Sequence, residues 1–254
     1  MNPYAVIIVL ILIIALVLVY RWYIRDLKEI ISEWDAGKQT ADGSAIFRIP
    51  SDKVKLTSSQ NFTYSIWVYI KEWNPHTEQT KIVFQRTAKN RASSQVIDDA
   101  NPKLESDVYF SLDLGKKNND ARCLVKLSGD DATGDTGVCT IPNIPVQRWV
   151  NIIMSVESSI IDMYLDGKLY KHCQFKSAVK KPSEDSQIIL LGGSPFKGRL
   201  SKLEYIRKFI TPQRAWDIYV DGPRDSSIVG SWLNRYMLRI QWLKDGAVDR
   251  EYKI

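Results

Sequence analysis

Two acidic side chains on one strand-like segment give the sequence its first candidate chemistry. In IIDMYLDG, Asp162 and Asp166 fall on the same face as Tyr164, because side chains alternate along a strand. Paired carboxylates about 5 to 9 Å apart can act as acid and as nucleophile or base in glycoside hydrolysis. Asp166, however, belongs to an Asp-Gly turn, and Asp162 is typical of a sheet surface, so we assign no catalytic residue.

Other catalytic and cofactor patterns are missing from the sequence. Its two histidines, His76 and His172, have no nearby partners, and neither Gly-x-Ser-x-Gly nor Gly-x-x-x-x-Gly-Lys occurs. The Gly-rich LLGGSPFKG joins two strand-like segments, which indicates a turn and not a phosphate loop. The sequence therefore predicts a protein that is not an enzyme and that has no cofactor.

The three cysteines lack the Cys-x-x-Cys spacing of a zinc site. Cys123 and Cys139 flank the turn-rich SGDDATGDTG, so they can face each other across a hairpin and form a disulfide where the compartment is oxidising. A glycosylation sequon at Asn61 matters only if that part of the chain is lumenal.

Two kinds of ligand site in loops stay open. The segment SGDDATGDTG offers Asp130, Asp131 and Asp135 to calcium, but their spacing differs from that of an EF-hand loop and favours a solvated loop. Exposed aromatic residues beside amides are typical of sugar recognition, and the candidates of this kind are Trp73, Asn74, Trp232 and Asn234. Aromatic residues in a β-sandwich are, however, more often part of the core.

The first twenty residues, MNPYAVIIVLILIIALVLVY, contain no charged side chain. That length crosses a hydrocarbon layer of ~30 Å as a helix, so residues 1–23 are predicted to form a transmembrane helix. A cleaved signal peptide fits less well, because a basic start and a small-residue cleavage site are both missing. Residues placed to anchor the helix at the two interfaces are Tyr4, Tyr20, Arg21, Trp22, Tyr23 and Arg25. The basic residues follow the span, which predicts a single-pass protein with its C-terminal domain on the cytosolic side.

Residues 24–45 are predicted to form an amphipathic helical stalk and a linker. Ile24, Leu27, Ile31 and Trp34 recur at near-helical spacing, and Gly37 is positioned to end the helix.

From Asn61 onward the periodicity changes to two, and short strand-like runs alternate with turn signals. FTYSIWVYI predicts a central strand that is covered on both faces, whereas the polar stretch 89–102 predicts an exposed loop without a core of its own. Thr211 and Pro212 are suited to begin a short helix that ends at Gly222. The pattern favours an all-β, antiparallel sandwich. A hairpin within 223–254 follows it and is expected to pack on the sandwich.

Three segments taken in order resemble the concanavalin A-like, laminin-G-like lectin sandwich. They are NFTYSIWVYI, then IPVQRWVNIIMSVESSIIDMYLDGKLY, then IILLGGSPFKGRLSKLEYIRKFITPQRAWDIY, and they place the domain at residues 46–222. The resemblance implies a jelly roll. Some members of the family cleave glycans, but the Glu-x-Asp-x-(x)-Glu pattern of those enzymes is absent here.

The order of membrane helix, single sandwich and closing hairpin is similar to that of membrane-anchored proteins of large icosahedral DNA viruses with an internal membrane. This similarity implies a virion protein in the inner membrane, such as a minor capsid protein, that tethers the membrane to the capsid shell. The alternative is a membrane-anchored lectin. The implied partners are a lipid membrane and capsid or other membrane-associated proteins, with glycans for the lectin. Nucleic acid is not expected, because the net charge of +6 is spread along the chain.

Overall fold

The chain folds into two antiparallel six-stranded sheets that face each other, with a separate pair of strands near the C-terminus. This computed structural model describes residues 11–18, 27–35, 47–54, 60–73, 80–129, 135–191, 197–223, 239–244 and 247–253. The antiparallel β-sandwich predicted from the period-two pattern is confirmed.

The first sheet carries the hairpin with the Asp-Gly turn at one edge. Its strands, in spatial order, are β1 (Leu27–Asp35), β12 (Lys197–Ile206), β3 (Phe62–Glu72), β8 (Trp149–Glu157), β9 (Ile160–Leu165) and β10 (Lys168–Gln174).

The second sheet also has six strands, and four strands that are consecutive in the chain are neighbours in it. Its strands, in spatial order, are β2 (Phe47–Ile49), β11 (Gln187–Leu190), β4 (Lys81–Thr87), β5 (Val108–Leu114), β6 (Ala121–Lys126) and β7 (Thr136–Ile141). A single 3₁₀ turn, Ser51–Lys53, follows β2.

Strand β3 shows how the sequence pattern becomes the core. Its alternate residues from Phe62 to Ile70 are buried between the sheets, and the Tyr64 ring lies 5.2 Å from that of Phe84 and 5.0 Å from that of Phe110. The intervening residues Thr63 and Ser65 are buried on the outer face of the sheet. The prediction of a central strand covered on both faces is therefore confirmed.

The stretch after β4 folds back over the outer face of the second sheet. Residues 88–107, which we call the cover loop, are held by the Gln85 side chain, which bonds both the carbonyl and the N–H of Gln95. Ile97 and Leu104 of this loop are buried against the sheet residue Leu124 in a small hydrophobic cluster. The prediction of an exposed loop without a core is wrong, because these few apolar side chains lie in a polar stretch and show no period.

The segment Leu27–Asp35 is strand β1 and not a helix. It pairs antiparallel with β12, with Leu27 opposite Ile206 and Asp35 opposite Arg199. The predicted helical stalk is therefore wrong over this segment, while residues 24–26 and 36–45 lie outside the described residues. Backbone hydrogen bonds to an available sheet edge outweigh a weak local preference for helix.

Residues 11–18 form a helix, α1, and its apolar side chains are exposed. Across the part of the chain that the structure describes, no helix has both the length and the apolar character needed to span a membrane. Residues 1–10 and 19–23, which complete the predicted transmembrane helix, lie outside that part, so this helix stays a prediction.

The C-terminal hairpin is present as β13 (Arg239–Lys244) and β14 (Ala247–Lys253). The two strands pair antiparallel, with Lys244 opposite Ala247, as the second Asp-Gly pair in the sequence predicts. They form a sheet of their own, and packing of this hairpin on the sandwich stays a prediction.

A disulfide joins the two sheets at one edge. Cys139 on β7 is bonded to Cys173 on β10, with their Cα atoms 6.0 Å apart, and Cys123 is a buried free thiol. The predicted Cys123–Cys139 disulfide is therefore wrong, although these two residues do lie opposite each other in the β6–β7 register. Side chains opposite each other on neighbouring strands point the same way, whereas Cys173 approaches Cys139 from the facing sheet.

Candidate binding cleft at the hairpin turn

The turn between β9 and β10 has the geometry that its two residues predict. Asp166 has φ +50° and Gly167 has φ +74°, so both central residues adopt the left-handed backbone of a two-residue hairpin turn. The Asp166 N–H donates to the carbonyl of Asn151 on β8 at 2.9 Å. The turn is thus fixed to the neighbouring strand as well as to its own hairpin.

Helix α2 (Pro212–Val220) lies beside this turn. Thr211 caps it, since its hydroxyl accepts the Arg214 N–H at 3.3 Å, and Pro212 occupies the first helical position, as predicted. The buried helix residues Ala215 and Ile218 pack on the outer face of the first sheet against Ile153, Tyr164, Ile206 and Ile210.

The turn touches the helix at Gly167. A Cβ atom at this position would lie 2.8 Å from the Tyr219 Cβ and 3.1 Å from the Trp216 Cα. Only a residue without a side chain allows this approach. The backbone of the hairpin turn therefore contacts residues of the helix, and a cleft lies beside this contact.

The cleft has a volume of about 360 Å³, within the roughly 300–1,000 Å³ that is usual for small-molecule sites. It combines aromatic, aliphatic and charged side chains, chiefly Asp166, Lys168, Leu169, Tyr170, Trp216 and Tyr219. Trp216 is 41% exposed and Tyr170 is 49% exposed, so two large rings face solvent at its rim. We call this site the hairpin–helix cleft.

A stack of rings supports the aromatic side of the cleft. Tyr219 lies 5.4 Å from Trp216, and on its other side it stacks on buried Trp67 at 5.6 Å with an interplanar angle of 18°. Trp67 projects from the outer face of β3. The exposed Trp216 is therefore backed by two further rings and by the central strand, which limits the entropy it loses on binding.

The acidic side of the cleft is fixed in the same way. The Asp166 carboxylate accepts the Arg148 guanidinium at 2.6 Å through one oxygen and the Asn151 N–H at 3.0 Å through the other. Its side chain is 17% exposed, whereas that of Arg148 is 53% exposed. A carboxylate can accept about four hydrogen bonds, so Asp166 keeps acceptor capacity toward the cleft.

Beneath the cleft, three buried polar atoms have no hydrogen-bond partner among the described residues: Trp67 Nε1, Asn151 Oδ1 and the Tyr164 hydroxyl. Burial, together with the nearby Asp162 carboxylate, raises the pKa of Tyr164 to about 12, so the hydroxyl is protonated at neutral pH. Buried polar groups in native proteins are nearly always bonded, often to ordered water.

The acidic residues considered for catalysis are not brought together. Asp162 pairs with His172 at 2.6 Å, while Asp166 pairs with Arg148. Each carboxylate thus has its own partner, and the two lie in different elements, Asp162 on β9 and Asp166 in the turn that follows it.

A buried carboxylate, Asp113, lies on the outer face of the second sheet. The Arg122 Nε donates to it at 2.7 Å, and the Arg122 guanidinium also pairs with Asp99 of the cover loop at 2.7 Å. Burial raises the pKa of Asp113 to about 6, although the neighbouring Arg122 acts to lower it. The cover loop lies over this face, so Asp113 has no exposure to solvent.

Of the residues predicted for sugar recognition, Trp73 is half-buried and packs against the core. The Lys81 ammonium lies over its ring at 4.1 Å, and its Nε1 donates to the Lys117 carbonyl at 3.3 Å. Asn74, Trp232 and Asn234 lie outside the described residues.

Only one of the three calcium candidates lies among the described residues. Asp135 is exposed and its carbonyl accepts the Leu127 N–H at 2.9 Å, while Asp130 and Asp131 lie outside the described residues. Among the residues with assigned positions, no cluster of three His, Cys, Asp or Glu side chains could hold a metal. All the predicted membrane anchors also fall outside the description, namely Tyr4, Tyr20, Arg21, Trp22, Tyr23 and Arg25.

Apart from Asp166, which the sequence offers only as a candidate carboxylate, the cleft residues carry no sequence signal of a shared site. The helix and the turn were both predicted, and Trp216 and Tyr219 at i and i+3 were the available signal of an aromatic helix face. That this face meets Gly167 depends on how α2 docks on the sheet.

A family model described as the concanavalin A-like lectin/glucanases superfamily, of the laminin-G type, matches residues 41–215. The match covers more than half of the sequence, so the chain belongs to this superfamily. A comparison with curated proteins gave no match.

A solved structure of a botulinum neurotoxin binding domain shares the fold, and a second one is similar. The serotype G binding domain has a TM-score of 0.50 and 10% identity, covering 74% of this chain and 41% of that one. The receptor binding domain of the C/D mosaic serotype has a TM-score of 0.48 and 9% identity, covering 76% of this chain and 51% of that one. The chain thus spans about half of these structures or less, and at this identity the likeness concerns the fold alone.

Proposed function

We propose that this chain is a non-enzymatic, membrane-anchored interaction protein that holds a partner at a membrane through its lectin-like sandwich. The hairpin–helix cleft carries the proposal, because it offers exposed Trp216 and Tyr170 on a rigid support. Exposed aromatic residues on a preorganised support are typical of binding surfaces.

The membrane part of the proposal is supported by the N-terminal residues. The first twenty residues contain no charged side chain, and the apolar side chains of α1 are exposed. Such side chains need an apolar surrounding, which a lipid bilayer supplies.

The proposal that the protein is not an enzyme is supported by the surroundings of its carboxylates. Asp166 pairs with the Arg148 guanidinium, Asp162 pairs with the His172 imidazole, and Asp113 is buried under the cover loop. A glycosidase needs one carboxyl group on each side of an accessible sugar bond.

A more specific form of the proposal follows from the similarity to membrane-anchored virion proteins. In it, the chain is a minor capsid or inner-membrane protein of an icosahedral virion, and the sandwich lies between the membrane and the protein shell. The basic residues after the apolar segment favour a cytosolic domain, which is the side that would face such a shell.

A membrane-anchored lectin is the second candidate, and the Cys139–Cys173 disulfide favours it. Disulfides persist mainly in oxidising compartments, so a stable bond at this position is more easily reconciled with a lumenal or extracellular domain.

Topology separates the two candidates. The full chain is translated into microsomes and tested by alkaline extraction, protease protection and endoglycosidase treatment at Asn61. A tether facing the cytosol should resist extraction, be digested from outside and carry no glycan. A domain that is protected from protease and glycosylated would favour the lectin over the tether. Release of the chain by alkali would contradict membrane anchoring.

A further inference from the structure

We infer that the free edge of β10 binds an extended, acidic segment of a partner protein. Carboxylates at alternate positions of this segment pair with Lys168 and Lys171, and the apolar residues between them enter the hairpin–helix cleft. The inference rests on the proposed function in taking the sandwich as the surface that holds a partner. It adds the chemistry and the backbone conformation of that partner.

Strand β10 is the last strand of the first sheet, and among the described residues it pairs only with β9. All five residues of 168–172 are exposed. The outer side of an edge strand carries backbone N–H and C=O groups that can pair with another strand. Addition of a strand at such an edge is a recurring mode of peptide recognition, in which main-chain hydrogen bonds supply affinity and side-chain pockets supply specificity.

Both ends of this edge are held in place. At its start, Gly167 packs against Tyr219 of α2, where a Cβ atom on the glycine would lie 2.8 Å from the tyrosine Cβ. At its end, Cys173 is bonded to Cys139 of the facing sheet. The strand between these two points is therefore ordered before a partner arrives, which lowers the entropy lost on binding.

A bulge in β10 brings two lysines to one face of the strand. Residues three apart on a regular strand point to opposite faces. The register with β9, however, shifts between Leu169 and Lys171. As a result Lys168 lies opposite Leu165, and Lys171 lies opposite Met163. Both of these β9 residues pack on the core between the sheets, so the two lysines share that face at the exposed edge of the sandwich.

The two lysines give this edge a preference for negative charge. Neither of them forms an ion pair within the part of the chain that the structure describes. The nearby carboxylates of Asp162 and Asp166 already pair with His172 and Arg148. Opposite charges across paired strands stabilise the pairing, and like charges destabilise it. A second copy of β10 would bring its own lysines beside these two, so the edge favours an acidic partner over self-association.

The other face of β10 leads into the hairpin–helix cleft. Leu169 lies opposite Tyr164, which is buried against α2, so Leu169 is on the helix side of the sheet. Leu169 and Trp216 are both exposed and both line the cleft. A strand that pairs with β10 presents every second side chain on this face. Apolar residues at these positions bury Leu169 and Trp216, while the intervening acidic residues meet the lysines.

The test uses the full chain in nanodiscs of zwitterionic phosphatidylcholine, so that the lipid carries no net charge toward the peptide. Labelled eight-residue peptides that alternate glutamate with valine, leucine or phenylalanine are titrated by fluorescence polarisation. Each is compared with a peptide of the same composition whose acidic and apolar residues form two separate blocks. We expect saturable binding of an alternating peptide that is at least about tenfold tighter than that of its block counterpart.

The double variant Lys168→Glu/Lys171→Glu reverses the charge of the edge. The affinity for the acidic peptide should fall at least about tenfold, and a peptide that alternates lysine with the same apolar residue should bind instead. The matched control is Lys53→Glu/Lys89→Glu, which changes the net charge equally at two exposed lysines that follow β2 and β4 of the second sheet. This control should bind the acidic peptide as the wild-type chain does. Circular dichroism confirms that each variant is folded.

Methylation of peptide nitrogens tests whether the backbone pairs. Successive N–H groups of a strand point to opposite edges, so methylation of the glutamate amides blocks one edge, and methylation of the apolar residues' amides blocks the other. Only one edge of the peptide can pair with β10. One methylated peptide should therefore bind like its parent, and the other should bind at least about tenfold more weakly.

Each result decides the inference. Absence of saturable binding by every alternating peptide overturns it, as does equal binding of a block peptide or equal behaviour of the two methylated peptides. An unchanged affinity in Lys168→Glu/Lys171→Glu, or an equal loss in the control variant, also overturns it. None of these results affects membrane anchoring. A failure of anchoring is seen before any peptide is added, as a chain that does not enter nanodiscs and that alkali releases from microsomes.

Discussion

Gly167 lies so close to Tyr219 that a Cβ atom at the glycine would stand 2.8 Å from the Cβ of the tyrosine. The same glycine has φ +74°, which the hairpin turn requires. Two constraints of different origin, backbone conformation and close packing, therefore meet at one position. Through this contact the turn sets one wall of the hairpin–helix cleft and the helix sets the other.

Replacing Gly167 by alanine should lower the free energy of unfolding by about 2 to 4 kcal/mol, because strain of the left-handed backbone adds to the clash with Tyr219. Gly222 supplies the matched control, since it has φ +76° but nothing within 4 Å of its Cβ position. Gly222→Ala should cost only about 1 to 2 kcal/mol. Thermal unfolding of both variants measures the difference, and equal losses would show that the contact with the helix contributes nothing.

The parts of this fold that follow local rules were predictable from the sequence. The alternation in β3 and the Asp166–Gly167 pair each demand one backbone conformation, and both were confirmed. The strand at 27–35 was not predictable in this way. Its apolar spacing fits a helix, while its actual partner, β12, lies about 170 residues away.

Only the separate elements of the cleft, and not their contact, were predictable from the sequence. Helix α2 and the hairpin each carry a clear signal, but the contact between Gly167 and Tyr219 arises from packing between residues that are distant in sequence. The same holds for the disulfide, because the sequence offers Cys139 as a candidate for pairing and only the facing sheets show that its partner is Cys173.

Loss of the disulfide should destabilise the sandwich at the edge formed by β7 and β10. Cys139 and Cys173 are 34 residues apart, and closing a loop of that length contributes about 3 to 4 kcal/mol. Cys173→Ser should therefore lower the melting temperature of the oxidised protein by about 6–16 °C. Cys123→Ala should leave the disulfide intact, as measured by the mass of peptides alkylated before and after reduction. A Cys123–Cys139 peptide in the wild-type protein would contradict the assigned pairing.

Arg86 is a fully buried cation whose partners are neutral oxygens. Its guanidinium donates to the Tyr64 hydroxyl at 3.0 Å, to the Ser186 hydroxyl at 2.9 Å and to the Val54 carbonyl at 3.2 Å. Arg86→Ala removes a hydrogen bond from each of these groups and leaves a cavity, so we expect a loss of at least about 3 kcal/mol. The exposed Arg48 is the control, and Arg48→Ala should cost less than about 1 kcal/mol. Similar melting temperatures for the two variants would contradict a structural role for Arg86.

The stability of the domain should depend on pH through Asp113. Its pKa is about 6 in the folded chain against a usual value of 3.8, because burial disfavours the charged carboxylate more than Arg122 favours it. Between these two values the folded state holds a proton that the unfolded state has lost, so this group makes the free energy of unfolding fall as pH rises from about 4 to about 6. The shift corresponds to about 3 kcal/mol.

Asp113→Asn removes this titration while keeping an acceptor for the Arg122 Nε. The wild-type chain should therefore gain stability relative to Asp113→Asn as the pH is lowered from 7 to 4, and the difference between the two should be constant above pH 7. Melting temperatures of both proteins at intervals of half a pH unit measure the effect, and the comparison cancels the titration of the other carboxylates. Parallel curves across this range would mean that Asp113 is ionised throughout, with Arg122 and not burial controlling its charge.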